Sequence, residues 1–236
     1  MLIIHQFTSP PCSCPYLREQ KMELYFQFVL SATPAEYEQQ MKQGWRRFGY
    51  SMFHPVCNGC RACQSLRIPV KEYRPNRSQR RSLQENNDLT LEITSPSVTD
   101  EKLELYHRYH LFQSDHRGWQ DRAPINSTAY ADSFCDNPFD SEEWNFRLDG
   151  KLIAVGYVDR LQESLSAIYF YYDPAYRDRS LGTYNVCKII QAATQAGLKY
   201  VYLGYYVQGC QSLEYKAKFR PNEVIDAHGN WVTFHE

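Results

Sequence analysis

The sequence predicts an α+β protein whose main sheet contains strands of both directions. Asp149-Gly150 is a strong signal for a tight hairpin turn, and it lies between two segments of strand-like alternation. Further along, a helix over residues 181–196, ended by Gly197, lies between two more strands. A hairpin joins antiparallel strands, whereas a strand, a helix and a strand form a crossover that joins parallel ones. The four strands are predicted at residues 144–148, 151–159, 164–172 and 199–206.

The composition favours a folded protein outside the membrane. The chain has 236 residues, of which 43% are hydrophobic, so it can form one large domain or two small ones. It contains no apolar run of the roughly eighteen residues that a membrane helix needs, and residues 1–17 lack the pattern of a signal peptide. We therefore expect a cytoplasmic protein with no membrane partner, whose eight cysteines are thiols or metal ligands rather than disulfides.

The N-terminal part of the chain begins with short elements. After a strand at residues 23–29, Thr33-Pro34-Ala35-Glu36 predicts a helix start, because Thr33 can cap the helix and Glu36 can complete a capping box. This helix should end before Gly44, and short strands and turns should follow over residues 45–70. We divide the chain into an N-terminal cysteine-bearing module, residues 1–72, and a larger α+β module, residues 73–236.

The middle of the chain contains a polar segment, followed by a strand and a helix. Residues 71–87 are polar, rich in arginine and nearly free of apolar periodicity, which predicts a surface crossing between the two modules. A strand at residues 89–93 and a helix that starts at Ser97 or Thr99 and runs to about residue 112 are predicted next. Residues 116–125 are predicted as a loop, and a short helix should begin after Ser127.

Charge is distributed unevenly along the chain despite a net charge of −1. The segment from Arg46 to Arg81 has one acidic residue, Glu72, among nine basic ones, while residues 132–143 are acidic. Such polarisation favours a polyanionic partner on one face, although a solvated basic face is the alternative. The nine basic residues are Arg46, Arg47, Arg61, Arg67, Lys71, Arg74, Arg77, Arg80 and Arg81.

The cysteines of the N-terminal half have a spacing typical of metal ligands. Cys57, Cys60 and Cys63 are three residues apart, and Cys14 lies upstream. Four thiolates of this kind can form a tetrahedral zinc site or hold an iron–sulfur cluster. The alternative is that they are reduced structural thiols. Cys135, Cys187 and Cys210 are predicted to be packing residues, of which Cys210 is the nearest in sequence to the candidate site described next.

Two segments of the C-terminal half are candidates for substrate contact. The start of the helix at residue 181 is preceded by Arg177 and Arg179 and includes Gly182, and a helix N-terminus with nearby arginines favours phosphate or a developing oxyanion. The strand that ends at Tyr206 leads into a loop of tyrosines and cations up to Pro221. A routine helix start and a solvated loop are the alternatives. The arrangement resembles the GNAT N-acyltransferase fold, but it lacks the repeated glycines of the loop that binds coenzyme A, which favours another acyl donor.

Taken together, the motifs resemble the arginyl-tRNA–protein transferase family, and most closely its short bacterial branch, the aspartate/glutamate leucyltransferases. The resemblance covers nearly the whole chain in one shared order. Its matching segments are residues 14–17, 44–49, 57–69, 74–81, 173–174, 179–184, 202–206 and 215–221.

The resemblance implies an enzyme that moves leucine from Leu-tRNA to an N-terminal Asp or Glu of a protein, which marks that protein for degradation by the N-end rule pathway. It also implies a GNAT-like acyltransferase domain joined to a cysteine-bearing module. An aminoacyl ester reacts directly with an amine, so no cofactor is required for the reaction, and the N-terminal cysteines are the candidate site for zinc or an iron–sulfur cluster. A coenzyme-A-dependent N-acyltransferase and a non-catalytic tRNA-binding module are the alternative functions.

The resemblance and the residue chemistry together suggest roles for individual side chains. Tyr205, Tyr206 and Thr183 are the candidate catalytic residues, and the candidate metal ligands are Cys14, Cys57, Cys60 and Cys63. The arginine-rich segment would contact tRNA phosphates without regard to sequence. The candidate substrate-binding residues are Arg179, Gly182, Tyr215, Lys216, Arg220, Arg80 and Arg81, of which Lys216 and Arg220, or alternatively Arg80 and Arg81, would neutralise the acidic side chain of the acceptor.

Overall fold

The chain forms two large sheets and six α-helices in the part that the computed structural model describes, residues 1–117, 119 and 123–234. The strands are β1 (Leu2–Thr8), β2 (Cys12–Ser13), β3 (Lys21–Met22), β4 (Leu24–Ser31), β5 (Arg46–Phe48), β6 (Ser51–Pro55), β7 (Gln64–Pro69), β8 (Thr90–Thr94), β9 (Ser141–Leu148), β10 (Lys151–Arg160), β11 (Ser164–Tyr172), β12 (Tyr200–Tyr206), β13 (Glu223–Ile225) and β14 (Trp231–Thr233). The helices are α1 (Pro34–Lys42), α2 (Arg77–Glu85), α3 (Asp100–Arg117), α4 (Ser127–Tyr130), α5 (Leu181–Gln195) and α6 (Gln211–Glu214). Shorter helical turns are Ala131–Cys135, Pro174–Arg179 and Tyr215–Lys218.

The larger sheet has eight strands in the order β14-β13-β7-β12-β11-β10-β9-β8. β11 and β12 are parallel and are joined by α5, and the other neighbours are antiparallel. The predicted hairpin between β9 and β10 is confirmed: both Asp149 and Gly150 have positive φ angles, 49° and 82°, as a two-residue turn of the mirror-image type requires. The prediction of a mixed sheet with one crossover is therefore confirmed.

The smaller sheet has the strand order β1-β4-β6-β5 and packs on α1. The predicted start of α1 is confirmed, since the Thr33 side chain accepts from the Glu36 backbone N–H and the Glu36 side chain accepts from that of Thr33. Val29 and Met52 of this sheet form one cluster with Met41 of α1 and with Tyr202 of β12. The two sheets thus share a hydrophobic core.

β7 and a buried ion pair connect the N-terminal part of the chain to the larger sheet. Although β7 precedes residue 72, it lies inside the larger sheet between β12 and β13. Arg47 of β5 makes a buried ion pair with Asp159 of β10, which also accepts from Tyr37 Oη at 2.7 Å. The proposed division of the chain at residue 72 stays a prediction.

The segment predicted as a surface crossing, residues 71–87, contains a helix, because residues 77–85 form α2. Asn76 caps this helix, and the side chain of Gln79 bonds back to the Asn76 backbone N–H at 2.8 Å. The buried side of the helix is largely polar: Gln79 donates to the Lys218 carbonyl, and Ser82 donates to the Ser180 carbonyl. A helix buried through polar side chains has no apolar periodicity to detect.

The two long helices cover opposite faces of the larger sheet. Neighbouring residues of β10 enter different clusters, with Ala154 beside α5 and Val155 beside α3. α3 begins at Asp100, after the predicted cap Thr99, and extends to Arg117, beyond the predicted end. Gly118 and residues 120–122 of the predicted 116–125 loop lie outside the described residues. No helix in the described ranges is both long and apolar enough to cross a membrane.

Candidate active site

The larger sheet opens between its two parallel strands. β11 and β12 pair only from Ser164↔Tyr200 to Ser166↔Tyr202, and beyond that point each strand stays paired with its other neighbour. Both strands carry one extra residue just after they separate, Ile168 in β11 and Leu203 in β12. Such bulges bend a strand and leave the extra residue out of the ladder. We call the opening bounded by Ala167–Ile168 and Leu203–Gly204 the β11–β12 cleft.

Arg46 of β5 fills the start of this cleft. Its guanidinium donates to Ser166 Oγ at 3.2 Å and to the Ala167 carbonyl at 2.7 Å, and the residue is only 7% exposed. On the other side, guanidinium atoms lie 3.3 Å from the position that a β-carbon on Gly204 would occupy. Gly204 also has a φ of +81°, which L side chains rarely adopt, so the backbone here requires glycine for two reasons. Burial lowers the pKa of Arg46.

Lys216 is a second cation at the same place. Its Nζ donates to the Tyr205 carbonyl at 2.8 Å, and the short helical turn that carries it is anchored by the buried Ala217. Burial, and then the nearby Arg46 charge, lower the pKa of Lys216 to about 7, with Cys210 acting in the opposite direction. In the described parts of the chain, neither Arg46 nor Lys216 has an ion pair with a carboxylate. The cleft can therefore accept an anion.

The predicted tyrosines lie at the C-terminal end of β12 and in the segment after it, with different degrees of burial. Tyr205 is 7% exposed and its hydroxyl donates to the Gly44 carbonyl at 3.1 Å. Burial raises the pKa of Tyr205 far above its usual value, with Arg46 acting against this shift. Tyr206 is buried against Phe234, while Tyr215 is half-buried and packs edge-on against Phe219. At Tyr205 the group that faces Lys216 is the backbone carbonyl rather than the hydroxyl.

The start of α5 is partly open and partly covered by α2. Gly182 has open space where a side chain would be, and Thr183 next to it is half-buried. Before them, Arg179 makes a bidentate ion pair with Asp88 at 2.8 and 2.9 Å, and its carbonyl accepts from the Asn86 side chain of the segment after α2. The predicted Arg179 charge is thus already paired, whereas the helix start at Gly182 remains accessible.

α2 also connects the start of α5 to the 215–220 segment, and together they form a basic surface. Gln79 contacts the Lys218 carbonyl at 3.0 Å, and Ser82 contacts the Ser180 carbonyl at 3.3 Å. Arg80 donates to the Pro75 carbonyl and Arg81 pairs with Glu85 at 2.7 Å, but both remain exposed. We call the exposed cations of this region the α2 basic surface, and they are Arg74, Arg77, Arg80, Arg81, Lys218 and Arg220.

The expectation that the whole segment from Arg46 to Arg81 contacts tRNA is wrong for three of its arginines. Arg46, Arg47 and Arg67 are at most 8% exposed. Arg47 is neutralised by Asp159, and Arg67 pairs with Glu223 at 2.6 Å and lies 3.8 Å from the centre of the Tyr200 ring. These arginines satisfy charges and carbonyls inside the fold, so they are not available as a polyanion-binding face.

The four cysteines predicted as metal ligands line one cavity of about 40 Å³, together with Tyr16 and Tyr205. Burial raises the pKa of the Cys63 thiol to about 12, and the neighbouring cysteines add to the shift. Within the described residues, no group of three or more cysteine, histidine or acidic side chains is arranged to hold a metal ion. The cysteines are brought together as expected, but their role as ligands stays a prediction. Cys187 and Cys210 are buried, and Cys135 is half-buried.

Comparison with known proteins decides the family. A model described as "Arginine-tRNA-protein transferase, N terminus" matches residues 12–81, and its C-terminal counterpart matches residues 101–226. The chain belongs to the arginine-tRNA-protein transferase family. Aspartate/glutamate leucyltransferase of Campylobacter jejuni is 35% identical over 90% of this chain and 89% of its own. The protein of that name from Pseudomonas fluorescens is 35% identical over 96% of this chain and 95% of its own.

Among solved structures, FemX aligns with a TM-score of 0.51 at 9% identity, over 80% of this chain and 65% of that chain. At this identity the likeness concerns the fold alone. Together with the mixed sheet, it confirms the α+β class that the sequence predicts.

Arg46 is the residue of the cleft that sequence reasoning assigned to another role. Because it lies in the basic segment, its sequence context predicts an exposed arginine. The signal that separates it is its place in the strand β5, between the buried Trp45 and the buried Arg47. Gly204 in the Tyr-Leu-Gly-Tyr-Tyr segment is the corresponding signal on β12, since a glycine inside a strand marks a bulge or a close approach.

Proposed function

We propose that this protein is an aminoacyltransferase that moves leucine from Leu-tRNA to the N-terminal Asp or Glu of acceptor proteins. The observation that carries the proposal is the 35% identity, over 90–96% of the chain, to enzymes named aspartate/glutamate leucyltransferase. The α2 basic surface and the cationic β11–β12 cleft support it, because the donor is a polyanion and the acceptor begins with an acidic residue. Proteins that receive leucine in this way become substrates of the N-end rule pathway in the cytoplasm.

The reaction is the aminolysis of an ester. The α-amine of the acceptor attacks the leucyl carbonyl carbon, an amide bond forms, and the bond from that carbon to the ribose oxygen breaks, while the proton lost by the amine goes to the leaving oxygen. The amine has a pKa of about 8, so part of it is neutral at physiological pH. Neither a covalent intermediate nor a cofactor is required. Correct positioning can supply effective molarities of about 10⁵ M or more.

The tRNA would bind across the α2 basic surface. Three of its arginines, Arg77, Arg80 and Arg81, are exposed on α2, where they can contact phosphates. The N–H groups at the start of α5, near Gly182 and Thr183, are suited to the phosphates or ribose of the acceptor end. Arg179 would act there through its ion pair with Asp88, which fixes the turn before α5.

The leucyl group would enter the β11–β12 cleft beside Tyr205, Tyr206 and Tyr215. The extra residue Ile168 lies out of the strand register, so its backbone N–H is a candidate donor to the oxyanion that forms during attack. Thr183 is the candidate side-chain donor from α5. Lys216 and Arg220 are proposed to neutralise the acidic side chain of the acceptor, with Arg80 and Arg81 as alternatives.

One assay separates the proposed function from its rivals. The protein is incubated with Leu-tRNA or Arg-tRNA carrying a radiolabelled amino acid, or with labelled acetyl-CoA, and with peptides that begin with Asp, Glu or Ala. We expect label from Leu-tRNA on the Asp and Glu peptides only. Label from acetyl-CoA would support a coenzyme-A-dependent enzyme, whereas binding of tRNA without transfer to any peptide would refute catalysis.

A further inference from the structure

Arg46 has hydrogen-bonding capacity that the fold does not use. A guanidinium has five N–H donors, and the described contacts of Arg46 are one bond to Ser166 Oγ and one to the Ala167 carbonyl. Both acceptors are neutral, and Asp159, a carboxylate whose charge raises the pKa of Arg46, already forms an ion pair with Arg47. A buried charge in this condition is costly unless something pairs with it.

Two other buried arginines differ from Arg46 because each has a carboxylate partner. Arg47 and Arg67 are as deeply buried as Arg46, but each makes a direct ion pair, with Asp159 and Glu223 respectively. Arg46 instead lies beside a second cation, Lys216, whose one described hydrogen bond is to the Tyr205 carbonyl. A buried guanidinium beside a lysine amine, with no carboxylate among their described ion pairs and at the opening between two strands, indicates a site for an anion that arrives from outside the chain.

A carboxylate fits this site better than a phosphate of the tRNA. The planar fork of a guanidinium matches a carboxylate or a phosphate in two parallel hydrogen bonds, so the space at the site decides between the two anions. The opening is the space between two strands of one sheet, which suits one side chain, whereas the phosphates have the exposed arginines of α2 as partners. The proposed reaction supplies such a carboxylate at the right place, because the attacking amine and the acidic side chain belong to the same residue.

We propose that Arg46, together with Lys216, binds the side-chain carboxylate of the first residue of the acceptor and so sets the preference for acidic N-termini. This inference rests on the proposed function. In this arrangement Ser166 and the Ala167 carbonyl hold the guanidinium at the start of the cleft. Gly204 leaves room for it on the opposite side.

The test compares peptides that differ by charge alone. Leucyl transfer is measured at saturating Leu-tRNA with peptides that begin with Asp or with Asn. In Arg46→Gln we expect the KM for the Asp peptide to rise about 10- to 100-fold, as for loss of a charge-assisted hydrogen bond, with little change for the Asn peptide. The KM for Leu-tRNA should change far less than the KM for the Asp peptide. Arg46→Lys, which keeps the charge but not the fork, should recover part of the preference.

Two further variants keep the test decisive. Arg67→Gln removes an equally buried arginine that already has a carboxylate partner, so it should lower stability without changing the preference for Asp over Asn. If Arg46→Gln does not fold, Ser166→Ala removes the hydroxyl that orients Arg46 and should lower the same preference.

The outcomes are distinct. A folded Arg46→Gln or Ser166→Ala that keeps the full preference for Asp overturns the inference, and so does a rise in the KM for Leu-tRNA that exceeds the rise for the Asp peptide. Absence of transfer by the wild-type protein to any peptide would instead overturn the proposed function.

Discussion

The guanidinium of Arg46 lies 3.3 Å from the position that a β-carbon on Gly204 would occupy. β5 and β12 belong to different sheets, and this contact is where the side chain of one passes over the backbone of the other. The conformation of Gly204, with a φ of +81°, and the placement of Arg46 in the β11–β12 cleft are therefore coupled.

Gly204→Ala should therefore lower the free energy of unfolding by more than the strain of its backbone angle alone. A non-glycine residue in the left-handed region costs about 1–2 kcal/mol, and the crowded guanidinium should add about 1 kcal/mol. Gly229→Ala is the matched control, since Gly229 has a φ of +84° but open space around it. Urea unfolding measures both variants. Equal losses of stability would show that the contact with Arg46 has no energetic weight.

The buried ion pair between Arg47 and Asp159 predicts a large loss of stability when one partner is removed. Asp159 accepts from Arg47, from Tyr37 and from Ser141 Oγ at 2.7 Å, and it is fully buried. Asp159→Asn leaves the Arg47 charge without compensation, which should cost about 3–5 kcal/mol.

Thermal or urea unfolding checks this value, and Asp178→Asn serves as its control. Asp178 is 95% exposed, so its substitution should change the free energy of unfolding by less than about 0.5 kcal/mol. The double variant Arg47→Met with Asp159→Leu should be more stable than Asp159→Asn, because no unpaired charge remains. A less stable double variant would contradict this account.

The α2 basic surface predicts a salt-dependent contact with tRNA. Arg77→Ala and Arg80→Ala should each weaken binding of Leu-tRNA and lower the slope of log K against log salt by about 1, as for one phosphate contact. For Arg77→Ala the KM for the acceptor peptide should not change. Arg147→Ala is the control, because Arg147 lies on β9 and pairs with Glu92 and Glu101. Unchanged slopes in both α2 variants would exclude this surface as the tRNA site.

Local signals were sufficient to predict the elements that depend on a few neighbouring residues. Thr33 and Glu36 mark the start of α1, and Asp149-Gly150 marks the hairpin, because in each case the partners lie within four residues of one another. The crossover around α5 followed from the same kind of evidence, a helix with a glycine stop between two strands. These local features are sufficient to predict a candidate site at the C-terminal end of β12.

The rest could not be predicted because its partners are distant in sequence. Arg46 contacts Ser166, 120 residues away, and Arg47 contacts Asp159, 112 residues away. Arginine is usually exposed. An arginine-rich segment therefore predicts a basic surface, even where several of its arginines are buried in the fold. The helix α2 could not be predicted for a related reason. Its buried polar side chains, such as Gln79, form hydrogen bonds with backbone carbonyls of turns that are distant in sequence.

The cysteines around the 40 Å³ cavity allow a direct test of the metal hypothesis. If Cys14, Cys57, Cys60 and Cys63 ligate a metal, their thiols must ionise and move together, and protein purified without chelator should carry zinc or iron near stoichiometry. Elemental analysis measures this content. Cys60→Ser should remove it, whereas Cys135→Ser, outside the cavity, should not. Absence of both metals from the wild-type protein would assign the cysteines to packing.

Lys216 predicts a dependence of stability on pH. Its pKa is lowered from 10.5 to about 7 by burial and by Arg46, with Cys210 opposing. Between these values the unfolded chain binds a proton at Lys216 that the folded chain does not. Stability rises with pH wherever the unfolded state binds more protons. The contribution of Lys216 should therefore become more favourable as the pH rises from about 7 towards 10.5, and it should be constant below 7.

This contribution is isolated by comparison with Lys216→Met, because the titrating thiols and tyrosines are common to both proteins. The free energy of unfolding of the wild-type protein minus that of Lys216→Met, from urea unfolding at pH 6 to 10, should be flat up to about pH 7 and then increase. Lys218→Met controls for the loss of a positive charge, since Lys218 is exposed two residues away. A difference that is constant across this range would mean that Lys216 keeps its proton in the folded protein. In that case Lys216 would be a permanent second charge beside Arg46 in the cleft.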